Sequence, residues 1–280
     1  MAGTLYLVPT PIGNLGDLSP RGAEILALAD FIAAEDTRVT VKLLNHLGLK
    51  KPMVSYYRHN MATSGEAILN RLQAGESCAL VTDAGTPAIS DPGEQLVALC
   101  AQSGILVVSI PGPCALITAL AVSGLPTGRF TFEGFLPMNK KNRRTRLQSL
   151  INEERTLIFY EAPHKLSATL SDLRDTFGDD RPIALCRELT KLHEEVLRTT
   201  LADAVIYFQE HQPRGEFVLV VGGAEPHIPE APSLAEGLVR VEHLRAEAGL
   251  RLKEAVRRVS EETGLPKNEL YQYAILQKSK

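Results

Sequence analysis

The feature that most constrains the fold is an alternation, through the first 125 residues, of short apolar runs with longer amphipathic stretches. Leu5–Val8, Phe31–Ala34, Cys78–Val81 and Ile105–Val108 are the runs, each followed closely by Pro, Gly or an acid. Helical periodicity occupies the intervals near 20–29, 39–47, 64–74, 93–103 and 114–123. Near-continuous apolar strands alternating with helices predict an α/β fold with a parallel sheet covered on both faces. The break Gly124-Leu125-Pro126-Thr127-Gly128 places a boundary there, so the first α/β domain is expected to span 1–124.

A second α/β domain is expected over 125–223. Phe130–Phe135, Leu157–Tyr160, Ile183–Arg187, Glu195–Thr199 and Phe217–Val221 read as strands, with helices near 140–152, 165–177 and 201–211. Strands follow one another more often here, which favours a mixed sheet. A Pro- and Gly-rich linker is predicted at 224–233, followed by a small helical module over 234–280. Ser233 and Glu236 have capping-box spacing. A second helix over 251–263 ends at Gly264, and a third runs over 267–277, a helix-turn-helix-like arrangement.

Composition excludes several classes. With 44% hydrophobic and 22% charged residues in 280, the chain is neither disordered nor fibrous. Four cysteines are too few for a disulfide scaffold, and the seven histidines show no ligand spacing, so no metal site is expected. No signal peptide and no run long enough to cross a membrane is visible, which predicts a cytoplasmic protein with no membrane partner. The net charge of −3 hides an asymmetry: residues 251–280 carry seven Lys or Arg against four Glu. A denser cluster is Lys140, Lys141, Arg143, Arg144 and Arg146. A charge run is ordinarily a solvated helix face. Five cations in seven positions without an acid exceed that need and point to phosphate contact. Aromatic residues make up only 5% with no Trp, which disfavours a stacking-platform reader of single-stranded nucleic acid.

Small residues and prolines gather where the first-domain strands end. The three turns are Pro9–Gly16, Thr82–Pro87 and Ser109–Ala115. Ligands of open α/β sheets bind outside the carboxyl ends of the strands, so three such turns on one edge predict a backbone-rich floor for a nucleoside-containing cofactor. Neither a P-loop nor a complete dinucleotide fingerprint is present, which excludes the usual NTPase and dehydrogenase readings.

Six segments in order carry a resemblance. They are LYLVPTPIGNLG at 5–16, AEDTR at 34–38, VTDAGTPAISDPG at 81–93, IPGPCA at 110–115, FYEAPH at 159–164 and RELTK at 187–191. Together they closely resemble the bacterial small-subunit ribosomal RNA cytidine 2′-O-methyltransferases, in the tetrapyrrole-methylase-like class of S-adenosylmethionine-dependent enzymes. The resemblance implies two α/β domains with the cofactor cleft between them. It also implies a homodimer, and ribosomal RNA or the small ribosomal subunit as partner. Its cofactor residues match Pro9, Asp83, Ala84, Gly85, Thr86, Pro87, Pro111, Gly112, Pro113, Cys114 and Ala115. From the second domain they match Tyr160, Glu161 and Leu189. Tetrapyrrole relatives usually carry Gly-Asp-Pro where this chain has Gly85-Thr86-Pro87, which speaks against a porphyrin-type substrate.

Methyl transfer to a ribose hydroxyl needs alignment and a route for the proton. Glu35, Asp36 and Arg38 are the candidate catalytic groups, and capping of the next helix is an equally good role for either acid. Asp83 is expected to place the cofactor or to pin its loop. Lys140, Lys141, Arg143 and Arg144, with Arg257, Arg258 and Lys267 of the C-terminal module, are the candidate RNA contacts. A small-molecule methyltransferase of the same fold and a non-catalytic ribosome-assembly factor are the competing readings.

Overall fold

The computed structural model describes residues 2–225 and 232–278; most of the expected linker, at 226–231, lies outside them. Its first sheet is built from β1 (Thr4–Leu7), β2 (Phe31–Ala34), β3 (Met53–Ser55), β4 (Cys78–Val81) and β5 (Leu106–Ser109). All are parallel, in the order β3-β2-β4-β1-β5. The connecting helices are α1 (Pro20–Leu28), α2 (Thr37–His46), α3 (Met61–Gln73) and α4 (Gly93–Gln102). Every residue of β2 and β4 is buried, as strands covered on both sides require. Successive side chains feed opposite faces. Phe31, Ala33, Cys78 and Leu80 meet Ile68, Leu72 and Leu96 on one face. On the other, Ile32, Ala34, Ala79 and Val81 meet Leu26, Leu43 and Leu44. The edge strand β3 has no counterpart in the sequence reading, because three residues are too few to show a period.

The helix α5 (Ala115–Val122), read from the sequence as the end of the first domain, packs elsewhere. Its sequence ALITALAV is apolar except for Thr118, whose hydroxyl donates to Cys114 O at 2.9 Å. Leu116, Ala119 and Leu120 lie against Ile158, Ala184, Cys186, Val218 and Val220 of the second sheet. In packing terms the chain passes between the sheets at the Pro111–Cys114 turn, ahead of the Gly124–Gly128 break.

That second sheet comprises β6 (Phe130–Phe135), β7 (Thr156–Glu161), β8 (Pro182–Arg187), β9 (Glu195–Thr200) and β10 (Phe217–Val221). Its order is β6-β7-β10-β8-β9, with β6 and β7 parallel and the other pairs antiparallel. The face away from α5 is covered by α6 (Lys140–Ser149), α7 (Pro163–Phe177) and α8 (Leu201–Glu210). Both sheets belong to one compact unit ending at Glu225.

A second unit holds the C-terminal helices α9 (Leu234–Ala248), α10 (Leu252–Thr263) and α11 (Lys267–Lys278). The capping box is present: Glu236 N–H donates to Ser233 Oγ at 3.2 Å, and Ser233 N–H donates to Glu236 Oε2 at 2.8 Å. Gly249 and Gly264 end α9 and α10 with φ of 63° and 73°, a backbone region that glycine enters without strain. Val241, Ala255, Val256, Val259, Leu265 and Leu270 form the core of this unit. Among the described residues no helix is long and apolar enough to cross a membrane.

The basic run on α6 corrects part of the sequence reading. Arg143 and Arg144 both donate to Asp172 of α7, at 2.8 and 2.9 Å, and Asp172 is 3% exposed. Arg146 pairs with Glu133 at 2.6 Å. Arg143 is thereby taken up inside the unit, with its side chain only 12% exposed, and is withdrawn from phosphate contact. Burial pushes the Asp172 carboxyl up, but the Arg143 and Arg144 hydrogen bonds outweigh it and hold the group below its ordinary value of 3.8. Asp172→Ala strands the Arg143 guanidinium and is expected to destabilise the fold by about 3 kcal/mol, the low end for breaking a buried pair. Urea unfolding measures the loss. Because the folded pKa is depressed, the wild-type advantage should be complete above pH 3.8 and shrink as the pH falls below it.

Candidate active site

The parallel strands of the first sheet all end on one edge, and the turns that follow enclose a cavity of about 600 Å³ with residues of the second sheet. This lies within the range of small-molecule sites. The first sheet contributes Glu35 after β2, Thr82–Thr86 after β4, and Cys114 and Ala115 after β5. The second contributes Tyr160, Glu161, Leu189 and the start of β10.

Backbone hydrogen bonds join these turns into one surface. Thr10 N–H donates to Gly85 O at 2.9 Å, and Gly85 N–H returns to Thr10 O at 3.0 Å. Thr10 Oγ1 donates to Thr82 O at 3.1 Å, and Thr86 Oγ1 donates to Pro113 O at 2.8 Å. The Thr of Gly85-Thr86-Pro87 therefore ties the β4 turn to the β5 turn. Gly85 has a φ of 86°, where a side chain would strain the backbone. At Gly112 an added Cβ would stand 2.8 Å from Pro9 Cβ, so only glycine lets the β1 and β5 turns close up. Pro9, Pro87, Pro111, Gly112 and Pro113 are not among the lining residues; they shape the turns that are.

Glu35 and Asp36, adjacent in sequence, separate in role. Asp36 is the N-cap of α2: its Oδ1 accepts from Arg38 N–H at 2.8 Å, and the Arg38 guanidinium grips both oxygens. The Arg38 hydrogen bonds hold the Asp36 carboxyl at about 2, and neither residue is among those lining the cavity. Glu35 does line it, with Oε2 accepting from Thr82 Oγ1 at 2.6 Å. Asp83 lies beside it, accepting from Asp36 N–H at 3.1 Å. Burial first, and the charge of Glu35 second, push the Asp83 carboxyl up.

Two apices line the cavity: sequence reasoning missed Ile89 and reached Leu189 only through the family resemblance. Ile89 is flanked by Ala88 and Ser90 at φ of 68° and 69°, and Leu189 by Glu188 and Thr190 at 49° and 66°. Non-glycine residues in this region cost of order 1–3 kcal/mol each and persist only where their surroundings hold them. Asp91 holds the first apex, accepting from Ala88, Ile89 and Gly93 N–H at 3.0, 3.1 and 2.7 Å. Glu188 holds the second, accepting from Lys191 Nζ and Glu216 N–H, both at 2.9 Å. The available signal was polar residues in uninterrupted motif segments, Ser90-Asp91 and Glu188-Lys191. Glu161 is buried, and its carboxylate is occupied by Ala162 N–H at 2.8 Å and Thr169 Oγ1 at 2.5 Å. The Tyr160 hydroxyl accepts from Leu116 N–H at 3.2 Å, and burial pushes its pKa up to about 12. His164, Phe135 and Lys191 also line the cavity. Lys140 and Lys141 are exposed at the start of α6, and Arg257, Arg258 and Lys267 are exposed on the C-terminal helices.

Residues 4–205 match the family described as Tetrapyrrole (Corrin/Porphyrin) Methylases, and residues 236–278 match the RsmI C-terminal HTH domain. The first unit has the fold of solved methyltransferases. The methyltransferase CobJ aligns with a TM-score of 0.60 at 19% identity, over 80% of this chain and 95% of that one. Uroporphyrin-III C-methyltransferase from Thermus thermophilus, solved with S-adenosylhomocysteine, aligns at 0.55 and 18% identity, over 79% and 97%. Fold and family together define an S-adenosylmethionine-dependent methyltransferase.

Full-length relatives are more specific. The protein named "Ribosomal RNA small subunit methyltransferase I" in Synechocystis sp. is 52% identical over 98% of both chains. Its namesakes in Pseudomonas aeruginosa and Escherichia coli O157:H7 are 47% and 45% identical, over 100% and 98% of this chain and 99% and 96% of theirs. The chain belongs to the ribosomal RNA small subunit methyltransferase I family, within the tetrapyrrole methylases.

The cavity suits this cofactor. Glu35, Asp83 and Asp91 gather carboxyl groups that complement a cationic sulfonium, and Gly85 and Gly112 let the turns beside them pack closely. Gly112→Ala, by forcing the β1 and β5 turns apart, is expected to weaken S-adenosylhomocysteine binding by about tenfold, or ~1.4 kcal/mol. Calorimetric titration measures this; unchanged affinity would show that the turns hold their shape without that close approach.

Proposed function

We propose that this chain methylates the 2′-hydroxyl of a cytidine in small-subunit ribosomal RNA. The observation that carries the reading is the full-length similarity to proteins named ribosomal RNA small subunit methyltransferase I, C-terminal helices included. The cytidine and the 2′-oxygen come from the six-segment resemblance. The same reading has the enzyme acting in the cytoplasm as a homodimer, on ribosomal RNA or the small ribosomal subunit.

S-adenosylmethionine, when bound, supplies an electrophilic methyl group on a positively charged sulfur. In the proposed assignment Asp83, Ala84, Gly85, Thr86, Cys114 and Ala115 hold it from the first sheet, and Tyr160, Glu161 and Leu189 from the second. Held there, it would supply that methyl to a ribose oxygen, the carbon–sulfur electron pair leaving with sulfur as the oxygen–carbon bond forms. Holding the partners in line supplies the larger share of such a rate, roughly 7–11 kcal/mol for well-oriented reactants. The hydroxyl proton must also leave. Glu35 is the group proposed to take it: one carboxylate oxygen is held by Thr82, and the other has no partner among the described residues. Asp36 and Arg38 serve behind it as cap and clamp.

Lys140 and Lys141 have no ion-pair partner among the described residues, unlike Arg143, Arg144 and Arg146 on the same helix. They are the proposed phosphate contacts on α6, and Arg257, Arg258 and Lys267 those of the C-terminal unit.

The direct test is transfer of radiolabelled methyl to small ribosomal subunits lacking the modification, with the label mapped to a nucleotide. Label at a cytidine whose adjoining phosphodiester resists alkali supports the reading. Label on a base, or none on RNA despite cofactor binding, refutes it and favours a small-molecule acceptor. Glu35→Gln is expected to lower kcat by about 10²–10⁴-fold, the usual worth of general-base help. Replacing Lys140 and Lys141 together by Ala should leave kcat standing and reduce the salt slope of RNA binding by about 1.4–1.8, at ~0.7–0.9 per phosphate contact. An unchanged slope removes them from the interface.

A further inference from the structure

β6 contains an irregularity. Its register against β7 shifts between Phe132, opposite Ile158, and Gly134, opposite Phe159, which makes Glu133 an extra residue. In a regular strand, residues three apart point to opposite faces. Here Phe132 and Phe135 both meet the Tyr160 ring edge to face, with centroids at 4.9 and 5.6 Å. The bulge has turned Phe135 to the side of Phe132 and Tyr160, and Gly134, at a φ of 62°, makes the turn. Tyr160 is itself held by the Leu116 N–H bond, so the ring that backs Phe135 is fixed.

The result is an exposed aromatic on the cavity. Phe135 lines it and is 58% exposed, the highest exposure among the large aromatic side chains of the described residues. Bulges recur next to active sites, where they re-aim a side chain. Leaving a phenylalanine open to water is unfavourable for folding, since burial of such a side chain is worth ~1.5–3 kcal/mol. An edge-to-face contact engages at most one face of the ring, so the other remains for a planar partner.

We infer that Phe135 stacks on the base of the nucleotide being methylated. This rests on the reading of an RNA nucleotide as the methyl acceptor. The alternative planar partner is the adenine of the cofactor, and two observations favour the target base. Phe135 ends an edge strand and is open to solvent, whereas the second-sheet residues assigned to the cofactor are more enclosed, Leu189 being 6% exposed. From Phe135 the chain also runs within six residues to Lys140 and Lys141, the unpaired cations of α6. An aromatic ring followed closely by free cations matches a base and its neighbouring phosphates. The scarcity of aromatics in the chain excludes a platform of many rings but not one ring for one base. Stacking leaves the Watson–Crick edge of the base free, so Phe135 positions the nucleotide without itself selecting cytosine.

The test compares wild type with Phe135→Ala, Phe135→Leu and Phe135→Tyr. It measures kcat/KM for methyl transfer to unmodified small subunits and the Kd for S-adenosylhomocysteine. Phe135→Ala should lose about 5- to 150-fold in kcat/KM, the equivalent of ~1–3 kcal/mol for one stacked base. Phe135→Tyr should recover most of that loss, Phe135→Leu should not, and cofactor affinity should be the same in all four proteins. Recovery by Leu would reduce the ring to bulk and overturn the proposal, as would no loss in Phe135→Ala. A parallel loss of cofactor affinity would assign the ring to the adenine and overturn it too. If wild type itself transfers no methyl to RNA, the acceptor reading has failed and the stacking proposal fails with it. A loss seen only in the variants concerns Phe135 alone.

Discussion

Two backbone hydrogen bonds, exchanged between Thr10 and Gly85, fasten the ends of the neighbouring strands β1 and β4 into one surface. The rest of the site depends on this junction. Parallel strands all present their carboxyl ends on one edge, so a parallel sheet has a natural place for a ligand, but its turns must be kept from closing over it or splaying apart. Thr10 and Thr86 use their hydroxyls to tie the turns together, and Gly85 and Gly112 let the backbones approach. The lining that results combines small and apolar side chains with the carboxylates of Glu35, Asp83 and Asp91. It suits a ligand that is recognised largely by its shape and its positive sulfur.

The second sheet supplies what the first lacks. α5 leaves the edge of the first sheet and packs on the second, so the turn after β5 and the wall carrying Tyr160 share one hydrophobic core. Strain is placed at matching positions. Ile89 from one sheet and Leu189 from the other are each raised into the cavity between two left-handed, non-glycine residues, and each apex is held by a carboxylate, Asp91 or Glu188. Such conformations last only where their surroundings hold them in place, and here the holding groups are carboxylates that accept backbone N–H donors. The Phe135 bulge follows the same pattern: local regularity gives way at the cavity wall and is kept elsewhere.

Much of this was legible in the sequence, and what was hidden had physical reasons. Strands such as Phe31–Ala34 and Cys78–Val81, apolar at every position, announce a sheet covered on both faces. The capping box at Ser233 and the glycine stop at 264 are local chemistry and were equally readable; the stop at Gly249 was not read. The three turns after β1, β4 and β5 stood out by their small residues. What was hidden depends on partners distant in sequence. Arg143 reads as one cation among five until Asp172, 29 residues away, takes it up. Glu35 and Asp36 are interchangeable as letters, and one residue of backbone decides which caps α2 and which lines the cavity. α5 is plainly a helix, but with seven of its eight residues apolar it does not say which sheet it covers. The direction of Phe135 depends on a register shift that no period reveals.

In the proposed arrangement both sheets hold the cofactor, with the turns after β4 and β5 as its floor. A crystal structure of the chain with S-adenosylhomocysteine tests this most directly. The account predicts ligand contacts from residues 83–86 and 114–115 of the first sheet's turns, together with Tyr160 and Leu189 of the second. A ligand held by one sheet alone, or bound away from the Thr10–Gly85 junction, would contradict it.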